Sequence, residues 1–177
     1  MNKTQKKAVI IFTAIIVLIG GTIMIFTLTN NSQSVKASKQ LVIAIGDHDL
    51  LKVEEIVKQY PKSVNTLPSM SPWWWQLISE QPPVSFPLQR ACWGGDYDIV
   101  KLLIDNGADA NLVWKGIEGS KSPMMRSVLS GSERTQEIVE LLLEHGADKS
   151  IKDSSGKTAY DYAVEEDNLE LAELLKP

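Results

Sequence analysis

The chain repeats itself at a fixed interval, and this restricts its fold more than any other feature. Three segments, Phe86-Pro87-Leu88, Ser122-Pro123-Met124 and Thr158-Ala159-Tyr160, follow one another at steps of 36 residues. Each is followed by two apolar runs with a short polar turn between them. A repeat of this length is typical of a solenoid, in which one unit cannot bury its own apolar surface and must stack on its neighbours.

Apolar residues recur three and four residues apart in the second run of each unit, so they form one stripe along a helix. Gly107 and Gly146 follow two of these stripes, where glycine can take the left-handed conformation that ends a helix. Pro87 and Pro123 stand where a first helix would begin, because a missing N–H costs nothing there. The stripes comprise Ile99, Leu102, Leu103; Ile138, Leu141, Leu142; and Leu169 or Leu171, Leu174, Leu175.

This pattern resembles the ankyrin repeat family. Pro87 precedes Gly107 by 20 residues and Gly146 precedes Ala159 by 13, which is the spacing of that family. The chain departs from the family spacing at two places. It has three extra residues in the turn between helices at 130–136, and three in the loop that connects the second and third units at 112–122, which we call the finger. The resemblance implies an all-α solenoid of about four helix-turn-helix units over residues 40–177, at about 40–66, 86–111, 122–150 and 157–177.

The first of these units is degenerate, and a long loop follows it. Residues 40–66 lack an opening Thr-Pro, and Tyr60-Pro61 stands in place of the helix-ending glycine. Terminal repeats often depart from the pattern because one face meets solvent, so we interpret this unit as a cap. Residues 66–85 form an insert between the first and second units.

Residues 8–28 are 21 consecutive residues without a charge. A helix of this length spans the ~30 Å hydrocarbon core of a bilayer. We therefore predict a transmembrane helix at 8–28 and a polar tether at 29–39. A cleaved signal peptide is the alternative, although its apolar core is usually shorter.

The orientation of this predicted helix follows from its flanking lysines. Lys3, Lys6 and Lys7 immediately precede it. The positive-inside rule then places residues 1–7 in the cytoplasm and the repeats outside, in a single-pass protein of the cell membrane.

The charge of the repeat region limits the kinds of partner. Residues 40–177 carry 13 basic and 22 acidic side chains, a net charge of −9. An acidic surface argues against nucleic acid and favours a protein partner with a basic patch. With one cysteine, two distant histidines and no catalytic or phosphate-binding motif, we expect no metal, no cofactor and no enzyme activity.

All five tryptophans precede the third of the four units, and their role is open. They could pack the insert onto its own repeats, form the centre of a protein interface, or touch the membrane surface. Family geometry places partners on the loop tips and the first helices. This resemblance implies the candidate partner-binding residues Arg90, Trp93, Tyr97, Trp114, Lys115, Arg126 and Ser127. The interface interpretation of the tryptophans adds Trp73, Trp74 and Trp75.

The expected function is a membrane-anchored module that binds or inhibits an unknown protein. Two alternatives belong to other classes. One is a small-ligand receptor or enzyme with a site under the tryptophan-rich loop. The other is a structural membrane protein that associates with itself.

Overall fold

The structure, a computed structural model, describes residues 33–68, 85–113 and 120–177, and its regular elements there are all helical. Four helix pairs follow one another along the chain, as the repeat predicts, and no strand occurs within the described ranges. The pairs are α1 (Gln33–Gly46) with α2 (Leu50–Gln59), α3 (Pro87–Gly94) with α4 (Tyr97–Asp105), α5 (Pro123–Val128) with α6 (Thr135–Glu144), and α7 (Ala159–Glu165) with α8 (Leu169–Leu175).

The pairs stack in two layers within one compact unit that runs from Ser34 to Pro177. The first helices α3, α5 and α7 pack side by side, and the second helices α2, α4 and α6 do the same. In the second, third and fourth pairs, the first helix also packs on its own second helix. The apolar stripe of each unit is therefore covered by its neighbours in the stack, which are two for the inner units and one for the first and last units.

One continuous apolar core runs through all four units. The predicted stripe positions Ile99, Leu103, Ile138 and Leu142 are fully buried. In the last unit the stripe runs through Leu171 and Leu175, which are also buried, whereas Leu169 is 79% exposed at the start of α8 and the sequence had left it as an alternative. Further large side chains with almost no exposure include Leu41, Val53, Val57, Leu88, Met124 and Met125.

The predicted helix ends are confirmed. Pro87 and Pro123 are the first residues of α3 and α5. Gly107 and Gly146 have φ values of 81° and 79°, in the left-handed region that glycine tolerates. In the first unit, which lacks this glycine, α2 ends at Gln59 and a 3-10 helix (Pro61–Asn65) takes over.

The predicted polar tether at 29–39 is wrong for residues 33–39, which belong to α1. Ala37 and Ser38 are buried, and the Ser38 hydroxyl donates a hydrogen bond to the Thr66 carbonyl. Ala37 is the first member of a stripe that continues through Leu41, Ala44 and Ile45. The sequence did not predict this part of the stripe, because Ala37 is small, adds little to the local hydropathy and is surrounded by polar residues.

The predicted transmembrane helix at 8–28 lies outside the described residues, as do 1–7 and 29–32. Among the residues that are described, no helix combines the length and the apolar content needed to cross a bilayer.

Asparagine side chains join the loop of one unit to the loop of the next. The Asn65 amide donates to the Gly107 carbonyl at 2.7 Å, and its side-chain oxygen accepts from the Asp109 N–H at 2.8 Å. One unit later, Asn111 makes the same pair of bonds with Gly146 and Asp148, at 2.9 and 2.8 Å. Each asparagine therefore satisfies two backbone groups of the following loop and fixes its position.

We expect Asn111→Ala to lower the free energy of unfolding by about 1–2 kcal/mol, because two hydrogen bonds between units are lost. Urea denaturation followed by circular dichroism measures this change. Ser150→Ala is the matched control, since Ser150 holds the equivalent place one unit later and its hydroxyl reaches only Asp148 of its own loop, at 2.7 Å. Equal stabilities of the two variants would show that the asparagine bonds contribute nothing.

Candidate protein-binding surface

Equivalent positions of the first helices form a row across the stack. Arg90, Arg126 and Tyr162 are separated by 36 residues and lie on α3, α5 and α7, which pack side by side. In the first unit the corresponding residue is Ile43, since Ala44 and Ala91, which follow Ile43 and Arg90, are both buried. Ile43 is 55% exposed, so the row begins with an apolar side chain and continues with two arginines and a tyrosine.

Trp93 lies one helical turn beyond Arg90 and is the most prominent aromatic group of this surface. Its side chain is 45% exposed, and the guanidinium carbon of Arg126 lies 5.3 Å from the ring centroid. A cation at this distance is attracted by the electron-rich face of the indole. The Arg90 guanidinium lies against Gly46, where an added Cβ would be 3.1 Å from its nearest nitrogen. The structure thus brings three predicted residues, Arg90, Trp93 and Arg126, together.

Tyr162 holds the equivalent position in the last unit, where it is buried with 9% of its surface exposed. Its hydroxyl donates to Asp153 Oδ2 at 2.6 Å. The Lys121 and Lys157 ammonium groups lie 5.5 and 5.4 Å from the tyrosine ring centroid. Together with the groups around Trp93 they make one patch. We call it the first-helix face, and define it as Arg90, Trp93, Lys121, Arg126, Lys157 and Tyr162.

Asp153 is a buried carboxylate that fixes the loop leading into the last unit. Its Oδ1 accepts hydrogen bonds from the backbone N–H groups of Ser155 and Lys157, at 2.8 and 3.0 Å, and Lys121 Nζ lies 3.9 Å from Oδ2. Burial opposes ionisation of this carboxyl, but the bonds from Tyr162 and the two N–H groups outweigh it, and its pKa lies below the ordinary value. Burial and the bond to Asp153 raise the pKa of Tyr162 to about 12.

Tyr97 belongs to a separate cluster at the turns between the helices of a pair. It is half-buried, and the guanidinium carbon of Arg134 lies 4.1 Å from its ring centroid. Arg134 also pairs with Glu137 at 2.8 Å and with Asp98 at 3.6 Å. The bond to Glu137 raises the pKa of Arg134, with Asp98 adding to the effect. This cluster links the second and third units.

Ser127 does not belong to the surface, although it follows Arg126 directly. It is fully buried, and its hydroxyl donates to the Pro123 carbonyl at 3.2 Å. The neighbouring Cys92 thiol is also buried, which raises its pKa to about 12 despite a hydrogen bond with Ser127. Ser127 therefore supports α5 from inside, because adjacent residues on a helix point about 100° apart.

The other candidate residues, Trp73, Trp74, Trp75, Trp114 and Lys115, lie outside the described residues. The residues predicted from the sequence did not include Lys121, Lys157 or Tyr162. A further step of 36 residues from Arg126 leads to Tyr162, so the repeat interval is the signal that could have found it. Within the described ranges, no group of three or more His, Cys, Asp or Glu side chains could hold a metal ion.

Comparison with known proteins identifies the fold that carries this surface. The family described as "Ankyrin repeats (3 copies)" matches residues 88–177, half of the chain. The chain belongs to the ankyrin repeat family. Ankyrin repeats are in general non-enzymatic modules for protein–protein interaction. The first-helix face therefore lies on a domain of a class that binds other proteins.

Curated relatives are similar to the chain over its repeats. An ankyrin repeat protein of Acanthamoeba polyphaga mimivirus is 36% identical over 87 residues, which is 49% of this chain and 11% of that protein. Zygote-specific protein 3 of Chlamydomonas reinhardtii is 39% identical over 90 residues, 51% of this chain and 22% of that protein. The human 2-5A-dependent ribonuclease is 36% identical over 73 residues, 41% of this chain and 9% of the enzyme. The chain thus spans a quarter or less of each relative's length.

We expect Asp153→Asn to lower the free energy of unfolding by about 1.5–3 kcal/mol at pH 7, because the Tyr162 hydroxyl loses a charged acceptor. The pKa of Asp153 is lowered by folding, so its contribution is present above the ordinary carboxyl pKa of about 4 and is lost as the pH falls through the folded-state pKa. Urea denaturation from pH 7 down to pH 3 measures the difference between variant and parent.

The expected difference shrinks as the pH falls below about 4, where the carboxyl of the unfolded parent becomes neutral, and it is lost once the pH is below the folded-state pKa. Tyr162→Phe is the control, because it removes the same bond but keeps the carboxylate and its two backbone donors. If the difference in free energy of unfolding between Asp153→Asn and the parent is the same at pH 3 as at pH 7, the ionised carboxyl does not have this role.

Proposed function

We propose that this chain is a membrane-anchored module that binds another protein through the first helices and loop tips of its ankyrin repeats. The observation that carries the proposal is the half-exposed Trp93, stacked with Arg126 at 5.3 Å on the first-helix face. Tryptophan and arginine are enriched among the residues that dominate binding energy at protein interfaces. Ankyrin repeats are interaction modules, which favours a protein as the partner.

The proposed interface extends beyond this pair. It includes Tyr97 beside Arg134, and the tryptophans and lysine of the two loops that flank the second unit. Ser127 supports the interface from within the core. The proposed contact residues are Trp73, Trp74, Trp75, Arg90, Trp93, Tyr97, Trp114, Lys115 and Arg126.

The proposed anchor is the uncharged segment 8–28, whose length suits a bilayer. Lys3, Lys6 and Lys7 favour a cytoplasmic amino terminus and ankyrin repeats on the other side of the membrane. The partner would then be a secreted or surface-bound protein.

Topology is tested by adding a membrane-impermeant protease to intact cells. We expect the ankyrin repeats to be cleaved or shed while a cytoplasmic control protein stays intact. Protection until the membrane is opened would reverse the orientation. Recovery of the chain in the soluble fraction would contradict the anchor, and mass spectrometry of its amino terminus would reveal a cleaved signal peptide.

Binding is tested with a photo-crosslinking amino acid in the full-length chain. Replacing Trp93 by benzoylphenylalanine should give a discrete adduct with one protein in cells. The same replacement at Lys101, an exposed residue of α4, is the matched control and should give no such adduct. An adduct of two copies of this chain would favour the self-associating alternative, and identical adducts from both positions would contradict a specific interface at Trp93.

A further inference from the structure

The exposed side of α1 carries two lysines and no acid. Lys36, Lys39, Gln40 and Ile43 are exposed there, and the first acidic residue, Asp47, comes after the helix has ended. Within the described ranges, neither lysine ammonium group forms an ion pair or a hydrogen bond. Both charges are therefore open to a binding partner.

A third lysine lies beside α1, in the 3-10 helix that follows α2. The Ser38 hydroxyl donates to the Thr66 carbonyl, and the Thr66 hydroxyl donates to the Lys62 carbonyl at 2.6 Å. Lys62 is exposed, and no carboxylate pairs with it in the part of the chain that the structure describes. We call Lys36, Lys39 and Lys62 the basic edge of the first unit.

The acids of the first unit do not neutralise this edge. Asp47 and Asp49 lie at the other end of α1, and at 1.5 Å per residue Lys36 and Asp47 are about 16 Å apart along the helix. Glu54 and Glu55 belong to α2, and each pairs with a lysine of that helix at 2.7 Å. Residues 33–46 and 60–66 contain three basic side chains and no acidic one. The edge is therefore locally basic on a domain whose net charge is negative.

The basic edge begins close to the proposed membrane anchor in the chain. Only residues 29–32 separate the uncharged segment 8–28 from Gln33, the first residue of α1. The five steps from residue 28 to residue 33 cover at most about 18 Å, and the headgroup layer is about 5–8 Å thick, so α1 would begin within about 12 Å of the headgroups. This limit is comparable to the Debye length of about 8–10 Å at physiological ionic strength, so the lysines would feel the charge of the lipids.

We propose that the basic edge binds the anionic headgroups of phospholipids, so that the first unit rests on the bilayer surface beside the anchor. This inference rests on the proposed membrane anchor and adds a second contact to it. Lysines next to a membrane span are attracted to anionic lipids, and an ammonium group accepts a phosphate from any direction. The attraction depends on the headgroup charge and operates on whichever side of the membrane the repeats lie.

The last unit is repelled by the same lipids. Residues 157–177 carry two basic and six acidic side chains, a net charge of −4. An anionic surface therefore attracts one end of the stack and repels the other. The docked domain has its first unit on the bilayer and its last unit directed away from it.

The test uses the full-length chain reconstituted into vesicles of phosphatidylcholine, with or without phosphatidylglycerol. A fluorescent donor is attached at Gln40→Cys, on the exposed side of α1, and the vesicles contain a lipid-linked acceptor. The native Cys92 is buried and does not take up the label. Energy transfer should be greater in the anionic vesicles, and high salt should abolish the increase, because a shorter Debye length screens the lysines.

The matched label is placed at Ser154→Cys, an exposed position in the loop that leads into the last unit. Its energy transfer should stay the same or fall when anionic lipid is added, because the acidic end of the stack is not drawn to the surface. An equal increase from both labels would show general adsorption of the domain and would overturn the proposed docking through the basic edge.

Charge-matched variants locate the contact. Changing all three lysines of the basic edge to glutamine should abolish the response of the label at position 40 to anionic lipid. Lys101→Gln, Lys152→Gln and Lys176→Gln together remove the same charge from exposed positions elsewhere and should leave the response in place. Changing the three lysines of the edge to arginine keeps the charge and should preserve the response, which shows that the glutamine variant fails through charge and not through misfolding.

Equal energy transfer in neutral and anionic vesicles, or equal loss in the two triple glutamine variants, would overturn the proposal. A wash of the neutral vesicles in alkaline carbonate separates this failure from failure of the anchor. If the chain stays with those vesicles but the label at position 40 does not respond to anionic lipid, the anchor stands and the docking proposal falls. If benzoylphenylalanine at position 40 also gives an adduct with a protein in cells, the basic edge binds a protein instead of lipid.

Discussion

Burial of one apolar stripe by the neighbouring unit is the interaction on which the rest of this structure depends. A helix pair of this size cannot bury its own stripe, so each unit is stable only against another. Ile99, Leu103, Ile138 and Leu142 are fully buried because α4 and α6 lie side by side. Because the units stack in this way, helix ends, turns and connecting loops recur at equivalent places in each unit. Side chains far apart in sequence therefore lie on one surface.

Polar contacts between units add to the apolar stacking and set the register. Asn65 and Asn111 each bind two backbone groups of the next loop, and Arg134 joins the second and third units through Asp98 and Tyr97. These bonds are directional, whereas apolar burial is not. They fix how far one unit can slide or rotate on the next, and so they fix the spacing of the rows that a partner would meet.

The degree to which the sequence predicted this structure differs between its core and its surface. The helix starts at Pro87 and Pro123 and the ends at Gly107 and Gly146 followed from conformational preferences of single residues. The helical conformation of residues 33–39 did not, because the stripe of α1 includes the small Ala37 inside a polar segment. The burial of Ser127 was not predicted, because the family resemblance indicates which helix contacts a partner but not which of its side chains point outward.

The sequence by itself determined the repeat, the four helix pairs and the alternation of stripe and loop, since these depend on local spacing and backbone preference. Only the tertiary structure decided which side chains meet. The stack places Arg126 over Trp93, and Tyr162 over Asp153 between two lysines. Net charge is a sum over the whole chain, whereas the charge that a partner meets depends on which residues the stacking brings together.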